Sequence, residues 1–283
     1  MNYRHAFHAG NFADVVKHAV LCRLLVHLLA KEKPFRVIET HAGAGLYDLA
    51  GDAASRTGEW REGIGRLLAH PLSAEASALL HPYLACVRAE NKGGALRRYP
   101  GSPLFARAFC RADDRMLFCE RHAEEFAALK HSLAGDKRAT VVETDGWIAL
   151  KAQLPPKERR GLVLIDPPFE EPGEFERMRD GLAEAMNRWS SGMYLLWYPV
   201  KNVHEVRQFE RRVTRLKIAK ILHIEFAIDQ PQAEGPLVAC GLIVVNPPWT
   251  LEKELKVILP ALSKLLGRNR CGRYSLGPLA IAK

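Results

Sequence analysis

Two apolar runs near the C-terminus, ILHIEFAI (221–228) and VACGLIVV (238–245), are joined only by residues 229–237. A crossover between parallel strands takes about a dozen residues or more, so a link this short joins antiparallel neighbours. The earlier runs obey another rule. FRVIET (35–40), MLFCE (116–120), ATVVET (139–144), LVLID (162–166) and MYLLWYPV (193–200) are mostly separated by helical segments, the βαβ pattern of a doubly wound parallel sheet. The expected fold is therefore α/β and Rossmann-like, with a seven-stranded sheet whose last strand is antiparallel.

One stretch departs from the alternation. Residues 51–110 hold helix-like segments (61–69, 74–90, 103–112) and turn signals at Asn91-Lys92-Gly93-Gly94 and Pro100-Gly101, with no strand pattern. They read as a small helical insertion within a single domain spanning 1–283. Ahead of the first strand, Val16, Val20, Leu24 and Leu28 form a helical stripe over 12–30, with Asn11 as N-cap and Asp14 complementing the helix start. A helical signal resumes at Leu46, and the tail after Gly267 carries no clear period.

Composition narrows the class of protein. With 283 residues, 48% of them apolar, the chain buries enough surface to fold without staples. Its six cysteines form no CxxC pair and no zinc-spaced cluster, which suits reduced thiols. The apolar run 19–30 is interrupted by Arg23 and His27 and falls short of a membrane span, and it lacks the basic leader and small-residue cleavage site of a signal peptide. A cytoplasmic location, with no membrane partner, is expected. A formal charge of +9 favours a polyanionic partner.

In an open parallel sheet, ligands bind beyond the C-terminal strand ends, so those residues carry the functional signal. The first strand runs into Glu39-Thr40-His41-Ala42-Gly43-Ala44-Gly45, where glycines such as Gly43 let the backbone turn sharply beside a ligand. A dinucleotide fingerprint would place Gly or Ala where Asp48 stands, and an aspartate there opposes a pyrophosphate, so NAD chemistry is disfavoured. Glu120 ends the second strand and suits the two hydroxyls of a ribose; Asp145-Gly146 ends the third and suits an adenine.

The fourth strand ends in Asp166-Pro167-Pro168-Phe169. The Asp166 carboxylate and the Pro167 carbonyl offer two acceptors to one amine on a proline-stiffened backbone, and Phe169 offers a face for stacking a base. Two acceptors on one NH2 favour a tetrahedral nitrogen whose lone pair is released for attack on a methyl sulfonium. The similar Asn246-Pro247-Pro248-Trp249 follows the reversed strand, so it is expected at the opposite rim as a structural turn. The N-terminal segment from Tyr3 to Asn11 and on to Lys17-His18, rich in histidine and aromatic residues, suits contact with nucleotides, and basic groups recur at 97–98, 157–160 and 207–220.

These strand-end features resemble a class I S-adenosylmethionine methyltransferase acting on an exocyclic amine. More narrowly, YRHAFHAGNFADVVKH, THAGAG, RTGEW, YPGSP, LIDPPF, LWYPV and VVNPPW, in that order, resemble the RlmJ-type family, which methylates an adenine of 23S ribosomal RNA. The resemblance covers essentially the whole chain. It implies S-adenosyl-L-methionine as cofactor, 23S rRNA as substrate and no metal. It also implies that Lys17, His18, His41, Ser102, Glu120, Asp145, Gly146 and Asp166 border the cofactor or catalytic pocket, and that Tyr3 meets the RNA. Phe169 is a departure, since the family's tetrapeptide usually ends in Tyr; stacking survives the change and a hydroxyl contact is lost. A DNA adenine methyltransferase and a non-catalytic nucleic-acid-binding protein on the same scaffold are the rival readings.

Overall fold

The structure, a computed structural model, describes residues 4–232 and 235–279. In chain order its elements are α1 (Phe12–Leu29), β1 (Arg36–Glu39), β2 (Leu46–Asp48), α2 (Asp52–Thr57), α3 (Arg66–Ala69), α4 (Ala74–Ala89), β3 (Arg98–Pro100), α5 (Ser102–Phe109), β4 (Arg115–Glu120), α6 (Ala123–Ser132), β5 (Ala139–Glu143), α7 (Gly146–Gln153), β6 (Gly161–Ile165), α8 (Glu174–Arg188), β7 (Met193–Pro199), α9 (Val203–Thr214), β8 (Ile221–Ala227), β9 (Ala239–Val245), α10 (Leu251–Leu266) and β10 (Arg273–Pro278).

The main sheet has the order β10-β8-β9-β7-β6-β1-β4-β5. Its strands β5, β4, β1, β6 and β7 are parallel, whereas β9 runs antiparallel between β7 and β8. The reversal deduced from the short 229–237 link is thus present. The strand count of seven is corrected to eight, because the tail adds β10 antiparallel to β8 at the sheet edge. Arg273, Tyr274 and Ser275 are exposed, and Gly277 and Pro278 end the strand, so this edge lacks the apolar alternation that marks a buried strand.

Successive strand residues face opposite sides of the sheet, and β6 shows the consequence. Leu162 and Leu164 join the core on the α1 side, while Val163 and Ile165 join the core beneath α7, α8 and α9. Both faces are covered, which is why the parallel strands read as unbroken apolar runs.

Helix α1 begins as its sequence dictates: the Asn11 side chain accepts from Ala13 N (2.9 Å) and Asp14 N (3.0 Å). It is more deeply enclosed than one apolar stripe implies. Besides Val16, Val20, Leu24 and Leu28, residues Val15, Leu21, Cys22 and Leu25 are buried, since α4, α5 and α10 pack on its outer side. Much of that cover comes from residues 51–110, which are not purely helical. Tyr47 and Tyr99 are opposed in a two-stranded ribbon of β2 and β3, where helix was expected from Leu46 and no strand near Arg98. Strands of three residues are too short to leave a period. The 61–69 stretch divides into a π-helical turn (Arg61–Gly65) and α3, while 74–90 and 103–112 correspond to α4 and α5.

The second Pro-Pro tetrapeptide leaves β9 at the rim opposite the C-terminal ends of the parallel strands. There Asn246 Nδ2 donates to the carbonyls of Ser190 (2.8 Å) and Gly192 (2.7 Å), and Trp249 is 88% exposed. No helix among the described residues is long and apolar enough to cross a membrane; the apolar run 19–30 lies in and just after α1.

Candidate active site

The chain departs from β1 in one direction to β4 and β5 and in the other to β6 and β7, so the crevice beyond β1 and β6 is the switch point of the sheet. A cavity of about 530 Å³ opens there. Its wall contains Lys17 and His18 from α1, His41 and Gly43 from the turn after β1, and Ser102 at the start of α5. It also contains Glu120, Asp145, Gly146, Asp166, Pro167 and Phe169 from the ends of β4, β5 and β6. Every site residue expected from the sequence is therefore in one place except Tyr3, which lies outside the described residues.

Two glycines shape this wall. Gly43 turns with φ +64, and a Cβ there would come within 2.3 Å of the Tyr47 hydroxyl. At Gly146 a Cβ would fall 2.1 Å from the Thr40 carbonyl oxygen, so the third strand end can lie against the first only without a side chain. The carboxylates beside them are anchored by backbone. Glu120 accepts from Gly43 N (2.8 Å) and His122 N (2.8 Å), and Asp145 caps α7 by accepting from Trp147 N (2.8 Å).

The deepest part is a chain of charges. Lys17 Nζ lies 2.5 Å from Asp166 Oδ2 and 3.0 Å from Asp14 Oδ1, with the lysine 5% and Asp14 1% exposed. Asp14 Oδ2 in turn meets His5 Nε2 at 2.8 Å and accepts from Gly10 N at 2.9 Å. Burial opposes the Lys17 charge, but the two aspartates outweigh it and raise the pKa, so the ammonium persists. Burial likewise opposes ionisation of Asp14, yet His5, Lys17 and His18 hold its carboxyl well below the ordinary range. Among the described residues the Asp166 carboxylate has no other hydrogen bond, leaving Oδ1 open to a second donor.

Burial keeps His41 and His18 neutral. His41 is pushed down to about 4 and shares a 2.8 Å hydrogen bond with Thr40 Oγ1. His18 is also depressed by burial; its Nδ1 shares a 2.7 Å bond with the Tyr99 hydroxyl, and its buried Nε2 has no hydrogen-bond partner among the described residues. Glu39, beneath the cavity, accepts from Ser102 Oγ at 2.7 Å, and its burial raises its pKa to about 8.

Phe169 adopts φ +53, in the left-handed region, with its ring 4.9 Å from Phe175 and 6.3 Å from Trp197. The Trp197 ring also lies 5.7 Å from Lys17 Nζ.

Sequence reasoning missed several wall residues. Asp14 was legible only as a helix-start charge, although an acid and a lysine three residues apart at the start of a mostly apolar helix are the signal that could have marked a buried pair. Glu59 and Trp197 sit inside the RTGEW and LWYPV blocks but had no assigned role. Glu59 accepts from His8 Nδ1 (3.0 Å) and Asn11 Nδ2 (3.0 Å). Burial opposes its charge, but His8, Asn11 and the more distant charge of Arg268 bring its pKa below the ordinary value. Away from the cavity, Glu210, His223 and Glu225 cluster under α9, where Arg207 places a guanidinium nitrogen 2.6 Å from each of the two acids.

The family described as ribosomal RNA large subunit methyltransferase D, RlmJ, matches residues 32–277. A protein of Escherichia coli (strain K12) named ribosomal RNA large subunit methyltransferase J is 42% identical over 267 residues, 94% of each chain. One of the same name from Haemophilus influenzae is 40% identical over 277 residues, 98% of each chain. A crystal structure of a Legionella pneumophila protein, 36% identical, superposes with a TM-score of 0.87 over 96% of this chain and 98% of that one.

Proposed function

This chain belongs to the RlmJ family of ribosomal RNA large subunit methyltransferases, and from that premise we propose that it methylates the exocyclic amine of an adenine in 23S rRNA. The methyl donor is S-adenosyl-L-methionine, and transfer is direct, to a base flipped out of its stack. The observation that carries this reading is the position of Asp166-Pro167-Pro168-Phe169 at the switch point, with one carboxylate oxygen held by Lys17 and the other open.

The cavity suits such a cofactor. Carboxylates outnumber Lys and Arg among its lining side chains, a wall that favours a sulfonium and an ammonium and repels a diphosphate. Glu120 would hold the ribose hydroxyls, and Asp145 with Gly146 the cofactor's adenine. Lys17, His18, His41, Gly43 and Ser102 complete the border. Bound there, S-adenosyl-L-methionine supplies an activated methyl group, so the protein has to position rather than activate.

Phe169 stacks on the target base, and its departure from Tyr keeps that face. Asp166 Oδ1 and the Pro167 carbonyl take the two amine hydrogens, which bends the nitrogen toward tetrahedral geometry and frees its lone pair. Lys17 fixes the orientation of the Asp166 carboxylate. The ammonium formed on transfer is acidic enough to shed its proton to solvent, so Asp166 orients more than it abstracts. Residues 51–110 and the N-terminal arm, including Tyr3, shape RNA entry in the cytoplasm, and no step calls for a metal.

Asp166→Asn tests the assignment. With radiolabelled cofactor and unmethylated 23S rRNA, methyl incorporation should fall roughly 100-fold or more, while the variant still folds cooperatively and binds cofactor by calorimetry. Normal turnover in the variant overturns the mechanism. Incorporation into DNA in place of RNA would move the chain to the rival substrate.

A further inference from the structure

The tail after Gly267 has no part in the site as described, yet the fold brings it to the same rim. Strand β8 runs in the sense of β7, because β9 is antiparallel to both. Arg273 pairs with Ala227, the last residue of β8, and Arg268 N donates to the Ile228 carbonyl at 2.8 Å. Ile228 N in turn bonds to Val238 O, next to Pro236 and Leu237 on the cavity wall. The turn 268–273 is therefore tied through Ile228 and Val238 to the Pro236–Leu237 part of the cavity wall, with Arg268 within electrostatic reach of Glu59 on the same wall.

Other arginines of this rim face acids: Arg4 meets Glu124 at 2.8 Å, Arg177 meets Glu174 at 2.9 Å, and Arg121 approaches Asp145 at 3.9 Å. Among the described residues, Arg268, Arg270 and Arg273 form no ion pair, and Arg270 and Arg273 are exposed. Asn269 and Arg270 both sit in the left-handed region, at φ 49 and 61. That conformation is unfavourable for a side chain with a Cβ, and Arg270 holds it with no ion pair among the described residues.

We propose that Arg268, Arg270 and Arg273 form a phosphate clamp for the RNA strand that flanks the base entering the cavity. The inference rests on the rRNA reading above and adds where the backbone is held. A base leaving its stack brings its own phosphates to the cavity mouth, where the acidic wall repels them. Binding there needs cations outside the wall, and this turn places three beside it. Guanidinium groups take phosphate oxygens bidentately, which fixes strand register without reading sequence.

The test is the triple variant Arg268→Ala/Arg270→Ala/Arg273→Ala, with Arg→Lys at the same positions as a charge-preserving control, assayed on 23S rRNA. Each lost phosphate contact weakens binding roughly four- to sixfold at about 0.15 M salt. The alanine variant should therefore raise the RNA KM roughly 60- to 200-fold and make the slope of log affinity against log salt shallower by about 2 to 3. The kcat at saturating RNA and the cofactor affinity should be unchanged, and the lysine variant should recover most of the slope. An unchanged KM and slope in the alanine variant, with wild type active, overturns the clamp alone. A slope the lysines do not recover also overturns it, since the loss would then be structural. Wild type that transfers no methyl group to rRNA defeats the underlying reading instead.

Discussion

Glu39 makes the electrostatics of this site measurable. The side chain is fully buried at the end of β1, and burial, opposed by the Ser102 hydrogen bond, raises its pKa from 4.5 to about 8. Between those values the folded protein holds a proton that the unfolded chain has released. The stability tied to this group is therefore complete below about pH 4.5 and drains away as pH rises through about 8. Integrated from pH 5 to pH 9, the loss is about 4 kcal/mol. Glu39→Gln removes the titration while leaving an acceptor for Ser102. The new amide nitrogen falls where Oε1 has no hydrogen-bond partner among the described residues, a cost of about 1–3 kcal/mol. The two stability curves should cross, with the variant weaker at pH 5 and stronger at pH 9. Urea denaturation across that range, read as the difference between wild type and variant, cancels the histidines and isolates Glu39. A difference that stays flat within about 1 kcal/mol from pH 5 to pH 9 would refute the reasoning.

Lys17→Met leaves Asp14 and Asp166 facing each other without their shared cation, and should cost about 3–5 kcal/mol by denaturant titration. Adding Asp166→Asn should return part of it, whereas a single variant within about 1 kcal/mol of wild type would show the pair to be energetically idle. Gly146→Ala forces a methyl group into the Thr40 carbonyl and should cost about 3 kcal/mol or more. Calorimetry should show a matching loss of S-adenosyl-L-methionine binding, and a wild-type denaturation midpoint would contradict the close approach.

Legibility followed the length of each physical pattern. The reversed β9 was readable because a nine-residue link cannot cross a sheet, and β6 because both its faces are buried and every residue is apolar. The rim acids were readable because a doubly wound sheet puts consecutive strand ends together, so Glu120, Asp145 and Asp166 converge without any local sequence relation. What escaped had no period or no neighbour in sequence. β2, β3 and β10 are short or polar, and the Lys17–Asp166 bond joins residues 149 apart. Asp14 looked like an ordinary helix-start acid because the apolar stripe alone does not show the cover that α4, α5 and α10 lay over the outer side of α1.

The placement of β8 also has a consequence for how the chain is made. Its two neighbours, β9 and β10, both follow it in sequence, and the second ends only at Pro278. At synthesis rates of roughly 5–20 residues per second, the strand waits several seconds with one or both of its hydrogen-bonding edges bare. Ile221, Leu222, Ile224 and Phe226 are apolar, so a nascent chain stalled or terminated before residue 273 presents an unprotected, sticky edge. Loss of the last residues would then be felt first as insolubility and clearance by quality control, before any question of catalysis arose.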